Sequence, residues 1–325
     1  VALYLCVNDI HARRRPPSSC TDTYWPDLLK LLYQTVDVAR EREVAAVVWA
    51  GDVFDFKAPS RTDHGLMQEI IGVIQSYPCP AWILPGNHDI QFDRLESIEM
   101  TQPLGVLFKA GARRLDGWRE DAPLYGVPWQ QEWSQGTVRA ALADWYEYTP
   151  FEAAGPHQLV VTHAPIYPPG QEPRYEGAEF TPASWWADAL GNEGCLLYGH
   201  IHEPHGVWRH EGVTFCNFGA LSRGSLDEYN RSRQVGCALW DSATGEFEFV
   251  PLDARPAEEV FRLRQHEEAQ ASHRRLDLFL SGVDAATLGL LNVESVIAHI
   301  REGGHDARVV SLAEELLMAQ QGGTR

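Results

Sequence analysis

Five short blocks of Asp, His and Asn carry the side chains best able to do chemistry in this 325-residue chain. They are Asp9-Ile10-His11, Gly51-Asp52-Val53-Phe54-Asp55, Gly86-Asn87-His88-Asp89, Thr162-His163-Ala164 and Gly199-His200-Ile201-His202. Carboxylate oxygens, an amide oxygen and imidazole nitrogens in this mixture suit divalent metals of the Mn, Fe or Zn type. Asp9 and His11 would point to one side of an extended segment, and His200 and His202 repeat the spacing. Asp52 follows a glycine and could bridge two cations, while Asn87 supplies a neutral oxygen. A pair of metals held in this way performs hydrolysis of a phosphate ester. A lone Asp-x-His arises often by chance, so the weight lies on all five blocks occurring together.

Each block directly follows an apolar, β-prone run and so belongs in the loop beyond a strand end. Loops along one sheet edge bring distant residues together. The first half of the chain alternates strands and helices. Val1–Val7, Val44–Ala50 and Pro80–Leu84 read as strands, and Trp25–Arg42 and Asp63–Ser76 as helices with apolar faces. That rhythm predicts a mostly parallel sheet with right-handed connections. The second half is β-rich, with runs at 158–162, 194–198, 213–217, 235–240 and 246–250 and a hairpin turn at His210-Glu211-Gly212. These runs predict a second sheet packed on the first, a four-layer αββα sandwich, with residues 1–255 as the catalytic domain. From Pro256 the chain turns helical, with one helix to about Leu280 and two more, from Asn292 and around Val309–Leu317. This segment, 256–325, would either cap the core or dock a partner through its apolar faces.

The net charge of −18 argues against a surface coated in basic residues for non-specific nucleic-acid binding. It leaves room for local basic patches such as Arg13-Arg14-Arg15, which reads either as a solvated loop or as a phosphate-backbone contact. Trp129, Trp133, Trp185 and Trp186 read as core residues or as platforms for bases. The six cysteines form no CxxC pair and are expected to be reduced. No apolar stretch approaches a membrane span, the first run is too short for a signal peptide, and a cytoplasmic location is expected.

The motif series DxH, GDxxD, GNH(D/E), H and GHxH resembles that of the calcineurin-like metallophosphoesterases over residues 3 to about 250. The resemblance implies one metal at Asp9, His11, Asp52 and His202 and a second at Asp52, Asn87, His163 and His200. It implies that His88 touches the scissile phosphate and that Asp55 and Asp89 orient neighbouring histidines. It implies attack by a hydroxide bridging two divalent ions, with Mn2+ expected ahead of Fe2+, Zn2+ or Mg2+.

Within the family, Gly51–Asp55 continuing to Ala58-Pro59-Ser60, the run Cys79–Asp89, and Asn217–Arg223 are similar to the SbcD/Mre11 DNA repair nucleases. The departures are Asn8 before the first Asp, Ala12 and three arginines after His11, and Phe218 in place of a proline. That likeness implies an exonuclease or endonuclease on DNA, with Arg13, Arg14, Arg15 and Arg223 as substrate contacts. Implied partners are an SbcC/Rad50-type ATPase and a second copy of the chain. The alternative from the same motifs is a stand-alone phosphoesterase acting on small nucleotides or phosphomonoesters.

Overall fold

The computed structural model describes residues 2–265 except 92–93, 120, 146–156, 174–176, 178 and 192, together with 268, 271, 272, 274, 275 and 311. The strands are β1 (Leu3–Val7), β2 (Ala46–Trp49), β3 (Ala81–Ile83), β4 (Arg113–Arg114), β5 (Gly117–Trp118) and β6 (Leu124–Val127). They continue with β7 (Leu159–Thr162), β8 (Cys195–Tyr198), β9 (Gly206–His210), β10 (Val213–Asn217), β11 (Gly236–Asp241) and β12 (Phe247–Pro251). Two six-stranded sheets result, in the orders β12-β11-β1-β2-β3-β4 and β5-β6-β7-β8-β10-β9.

The period-two alternation of side chains decides which layer each strand residue joins. Tyr4 and Cys6 of β1, Ala46 and Val48 of β2, and Trp82 of β3 meet Leu159 and Val161 of β7 and Cys195 and Leu197 of β8 in one buried core between the sheets. The opposite faces are equally apolar, as a strand covered on both sides requires. Val160, Leu196 and Tyr198 pack under Val138, Ala183, Trp186 and Ala187, which belong to the helices Gln135–Ala141 and Ala183–Ala189. On the first sheet, helices α1 (Tyr24–Glu41) and α2 (His64–Ser76) bury Leu28, Leu32, Val36, Leu66, Ile70 and Val73. Thr35 of α1 and Trp49 of β2 share the buried Tyr77 hydroxyl, at 2.6 and 3.4 Å. Asp63 caps α2 by accepting from Leu66 N at 2.8 Å. The result is the expected αββα sandwich.

Three local expectations change. The late runs β11 and β12 do not extend the second sheet; β11 pairs antiparallel with β1 and joins the first. The sequence shows their alternation but not which edge is free to accept them. The second half also contains helix Ala183–Ala189, whose buried Trp186 lies in a short amphipathic stretch dominated by neighbouring turns. The single helix expected from Pro256 breaks at Phe261, which adopts φ −106° and ψ 147°. Burial decides this: Phe261 is 2% exposed, forms a bridge with Cys20, and leaves the Val260 carbonyl to accept from Thr21 N at 2.8 Å.

The chain divides into two compact units, Val1–Phe261 and Arg262–Arg325. The helices expected from Asn292 and around Val309–Leu317 lie outside the described residues. The turn at Glu211-Gly212 joins β9 and β10 with φ 46° and 86°, the left-handed pair a two-residue hairpin needs. None of the six cysteines is in a disulfide. Among the described residues no helix is long and apolar enough to cross a membrane.

Candidate metal centre

β1, β2, β3 and β8 each end shortly before one of the five blocks and β7 ends on the first residue of its block, Thr162, and the two sheets bring those ends to one edge. The backbone route differs from the extended one that the spacing suggested. Asp9, His11, Asp52 and His200 have φ of 46°, 47°, 49° and 77°, so the Asp9/His11 and His200/His202 pairs converge through left-handed turns. Asp and His tolerate this region better than most residues, yet each such residue costs about 1–3 kcal/mol. The surrounding bonds hold the strain: His11 N donates to Asp52 O at 2.8 Å, His200 N to Asp9 Oδ1 at 2.9 Å, and His88 N to Asp52 Oδ1 at 2.8 Å.

Asp52 Oδ2 lies 3.4 Å from His11 Nε2 and 3.3 Å from His163 Nε2. On one side of it, His11 Nε2 and His202 Nε2 approach to 2.9 Å, and Asp9 Oδ1 is 3.9 Å from His202 Nε2. On the other, Asn87 Oδ1 is 3.0 Å from His163 Nε2 and 3.1 Å from His200 Nδ1. Asp9 Oδ2 is buried with no protein partner. Oxygen and nitrogen atoms converging this closely, with an orphaned carboxylate oxygen among them, fit divalent cations. Among the described residues, three groups have the geometry to hold an ion: Asp9, His11 and His202; Asp9, Asp52 and His163; and His11, Asp52 and His88.

Electrostatics follow from burial and proximity. Burial, then the charge on His163, pushes His200 down to about 4, and burial with His11 nearby pushes His202 down to about 3. Both are neutral imidazoles at pH 7, the state a metal ligand needs. Burial opposes charge on Asp52, but His163, His11 and His88 outweigh it and hold the carboxyl well below its usual range. Burial would also keep His163 neutral; Asp52 and Asp9 raise it to about 9 instead.

The other expected site residues divide. His88 Nδ1 donates to Asp55 O at 2.8 Å. Asp55 Oδ1 lies 3.5 Å from His11 Nδ1, and its Oδ2 takes Arg13 Nη1 at 2.6 Å. Asp89 has backbone partners among the described residues. Its buried carboxylate accepts from Val53 N, Phe54 N and Gly86 N at 3.2, 3.3 and 3.0 Å, tying one loop to the next.

The arginines expected at substrate are mostly engaged elsewhere. Arg14 pairs with Glu69 at 3.0 Å and with Asp63 at 3.5 Å. Arg223 is buried and donates to Arg255 O at 2.6 Å. Arg15 is exposed. Trp186 is a core residue, donating to Thr181 Oγ1 at 3.1 Å, and Trp133 and Trp185 pack against the same core. Trp129 differs: its backbone N–H donates to Pro85 O at 3.2 Å, beside the Gly86 loop.

Two glycines of the blocks and two further residues also hold the site together. A Cβ on Gly86 would lie 2.3 Å from Asp52 Oδ1, and one on Gly199 would lie 2.4 Å from Ala50 O. Asn8 donates to Tyr198 O at 2.9 Å and ties β1 to β8 between the sheets. Ser222 donates its hydroxyl to Asp9 O at 3.2 Å. The glycines are marked by the motifs, Asn8 by adjacency to the first block and Ser222 by the run Asn217–Arg223.

The family model for calcineurin-like phosphoesterases matches residues 3–204. The chain belongs to that family. Among solved structures, this phosphoesterase is similar to a dimetal phosphatase from Danio rerio, at 11% identity, TM-score 0.49, 80% of this chain and 98% of that one. It is similar also to the protein TT1561 of Thermus thermophilus, at 13% identity, TM-score 0.48, 77% of this chain and 99% of that one. A hybrid PKS-NRPS synthetase of Fusarium sp is 25% identical over 171 residues, 48% of this chain; the match spans about 4% of that synthetase's length.

Proposed function

We propose that this phosphoesterase holds two divalent metals and hydrolyses DNA phosphodiester bonds in the manner of the SbcD/Mre11 nucleases. In this reading one metal is held by Asp9, His11, Asp52 and His202 and the other by Asp52, Asn87, His163 and His200. The observation that carries it is Asp52 Oδ2, set 3.4 Å from His11 Nε2 and 3.3 Å from His163 Nε2, between the two histidine groups. A pair of Mn2+ ions, when bound, supplies charge neutralisation at a phosphate ester and acidifies water.

The chain's own residues do the remaining work. Because the Asp55 carbonyl only accepts, His88 Nδ1 carries a proton and the bond fixes the ring, and in this reading Nε2 is the atom left for the scissile phosphate. There a protonated His88 can donate to the leaving oxygen. Asp55 steadies His11 and is itself held by Arg13. Asp89 keeps the loops bearing Asp52 and Asn87 in register.

The choice of DNA is supported by the nuclease-like runs 51–60, 79–89 and 217–223. The last of these is bonded into the site: Ala220 N donates to His202 O at 3.1 Å, and Asn217 Nδ2 to Ile201 O at 2.9 Å. One observation favours small nucleotides instead, namely that Arg14 and Arg223 face acids or backbone and lay no basic track. The deciding assay gives the purified protein labelled single- and double-stranded DNA with Mn2+, beside a panel of nucleotides and phosphomonoesters. Cleavage of DNA is expected. Turnover of small nucleotides with DNA untouched would replace this reading with the second one.

A further inference from the structure

Two cations near the site are engaged by no acid. Lys57 and Arg61 lie on the loop that leaves Asp55, and among the described residues neither pairs with a carboxylate, in a chain with 45 acidic residues against 27 Lys and Arg. Lys57 Nζ lies 3.5 Å from Asn87 O, so its charge sits on the peptide that joins Asn87 to His88. Arg61 is exposed, and its guanidinium lies 4.4 Å from the centroid of the Phe56 ring. Arg13 contacts the same ring at 4.9 Å while its Nη1 holds Asp55.

Phe56 therefore steadies Arg61 without taking up its N–H donors, which stay available to an anion. A ring covered by two guanidinia is poorly placed to stack on a base, so this edge reads charge and not sequence. His88 marks where the scissile phosphate is handled in the reading above, and Lys57 is anchored on the adjoining peptide.

We propose that Lys57 and Arg61, steadied by Phe56, form a subsite for a backbone phosphate of a DNA strand flanking the scissile one. The inference rests on the nuclease reading and deepens it. A substrate with a single phosphate leaves the subsite unused, whereas an oligonucleotide gains two charge contacts there.

The test uses the full chain with Mn2+ and two probes. One is a fluorescent phosphorothioate oligothymidylate, which resists hydrolysis, titrated by anisotropy from 50 to 200 mM salt. The other is bis(4-nitrophenyl) phosphate, which has one phosphate. Lys57→Ala with Arg61→Ala should weaken oligonucleotide binding about tenfold at 0.1 M salt and lower the slope of log Kd against log salt by about 1.4, roughly 0.7 for each lost contact. Lys57→Arg with Arg61→Lys should stay within about twofold of wild type, and both double variants should hydrolyse the single-phosphate ester at the wild-type rate, as expected of phosphate contacts. Unchanged binding and slope would overturn the subsite, as would a parallel loss on the single-phosphate ester. Wild-type protein that cleaves DNA while the alanine pair binds normally defeats the subsite and spares the nuclease reading. Variant-sensitive binding without any DNA cleavage does the reverse.

Discussion

Asp89→Ala separates two roles for a residue that the family resemblance placed beside the histidines. Its carboxylate is 1% exposed and accepts three backbone N–H bonds, from Val53 at 3.2 Å, Phe54 at 3.3 Å and Gly86 at 3.0 Å. Truncation leaves three buried donors unpaired, each costing about 1–3 kcal/mol. Partial relaxation of the loops sets the expected loss at about 3–6 kcal/mol, using the lower half of that range. For a unit spanning Val1–Phe261, a loss of that size lowers the melting temperature by about 6–20 °C. Asp89→Asn keeps one acceptor oxygen and should lose about half as much. Thermal melting and urea titration of the two variants beside wild type measure this. If Asp89 acted by orienting a histidine, the alanine variant would melt normally and lose turnover alone. A drop under about 2 °C would therefore refute the loop-anchor argument.

Further outcomes follow from the same geometry. Gly86→Ala places a Cβ 2.3 Å from Asp52 Oδ1, so the carboxylate must shift; metal content by elemental analysis should fall along with activity, and a fully loaded variant would contradict the close-approach reading. His88→Ala should retain its metals yet lose about 10²–10⁴-fold in turnover, the usual worth of a positioned acid–base group; loss of metal would assign it as a ligand instead. Burial lowers His205 from 6.5 to about 4, and its Nδ1 accepts from the Tyr198 hydroxyl at 2.7 Å. A folded-state pKa below the unfolded one means that this stabilisation is complete above pH 6.5 and is lost as pH falls towards about 4. The melting-temperature gap between wild type and His205→Gln should narrow over that window in metal-free buffer, and a constant gap would show that His205 does not titrate there.

The sequence by itself determined which metal-capable side chains are present, the strand-end position of each block and the sandwich. Those features are local: residue type sets metal preference, and a run such as Val44–Ala50, apolar on both faces, can only be a doubly covered strand. The tertiary structure decided everything that depends on which segments meet. Register alone could not say that β11 would pair with β1, because alternation identifies a strand's faces and not its neighbour. Nor could spacing reveal that Asp9, His11, Asp52 and His200 are left-handed, since bonds from distant loops impose that conformation. Arginine roles were least legible of all. A guanidinium is always charged, so its sequence position says nothing of its partner; only the fold sends Arg223 to the Arg255 carbonyl, Arg14 to Glu69, and leaves Arg61 against Phe56 at the edge of the site.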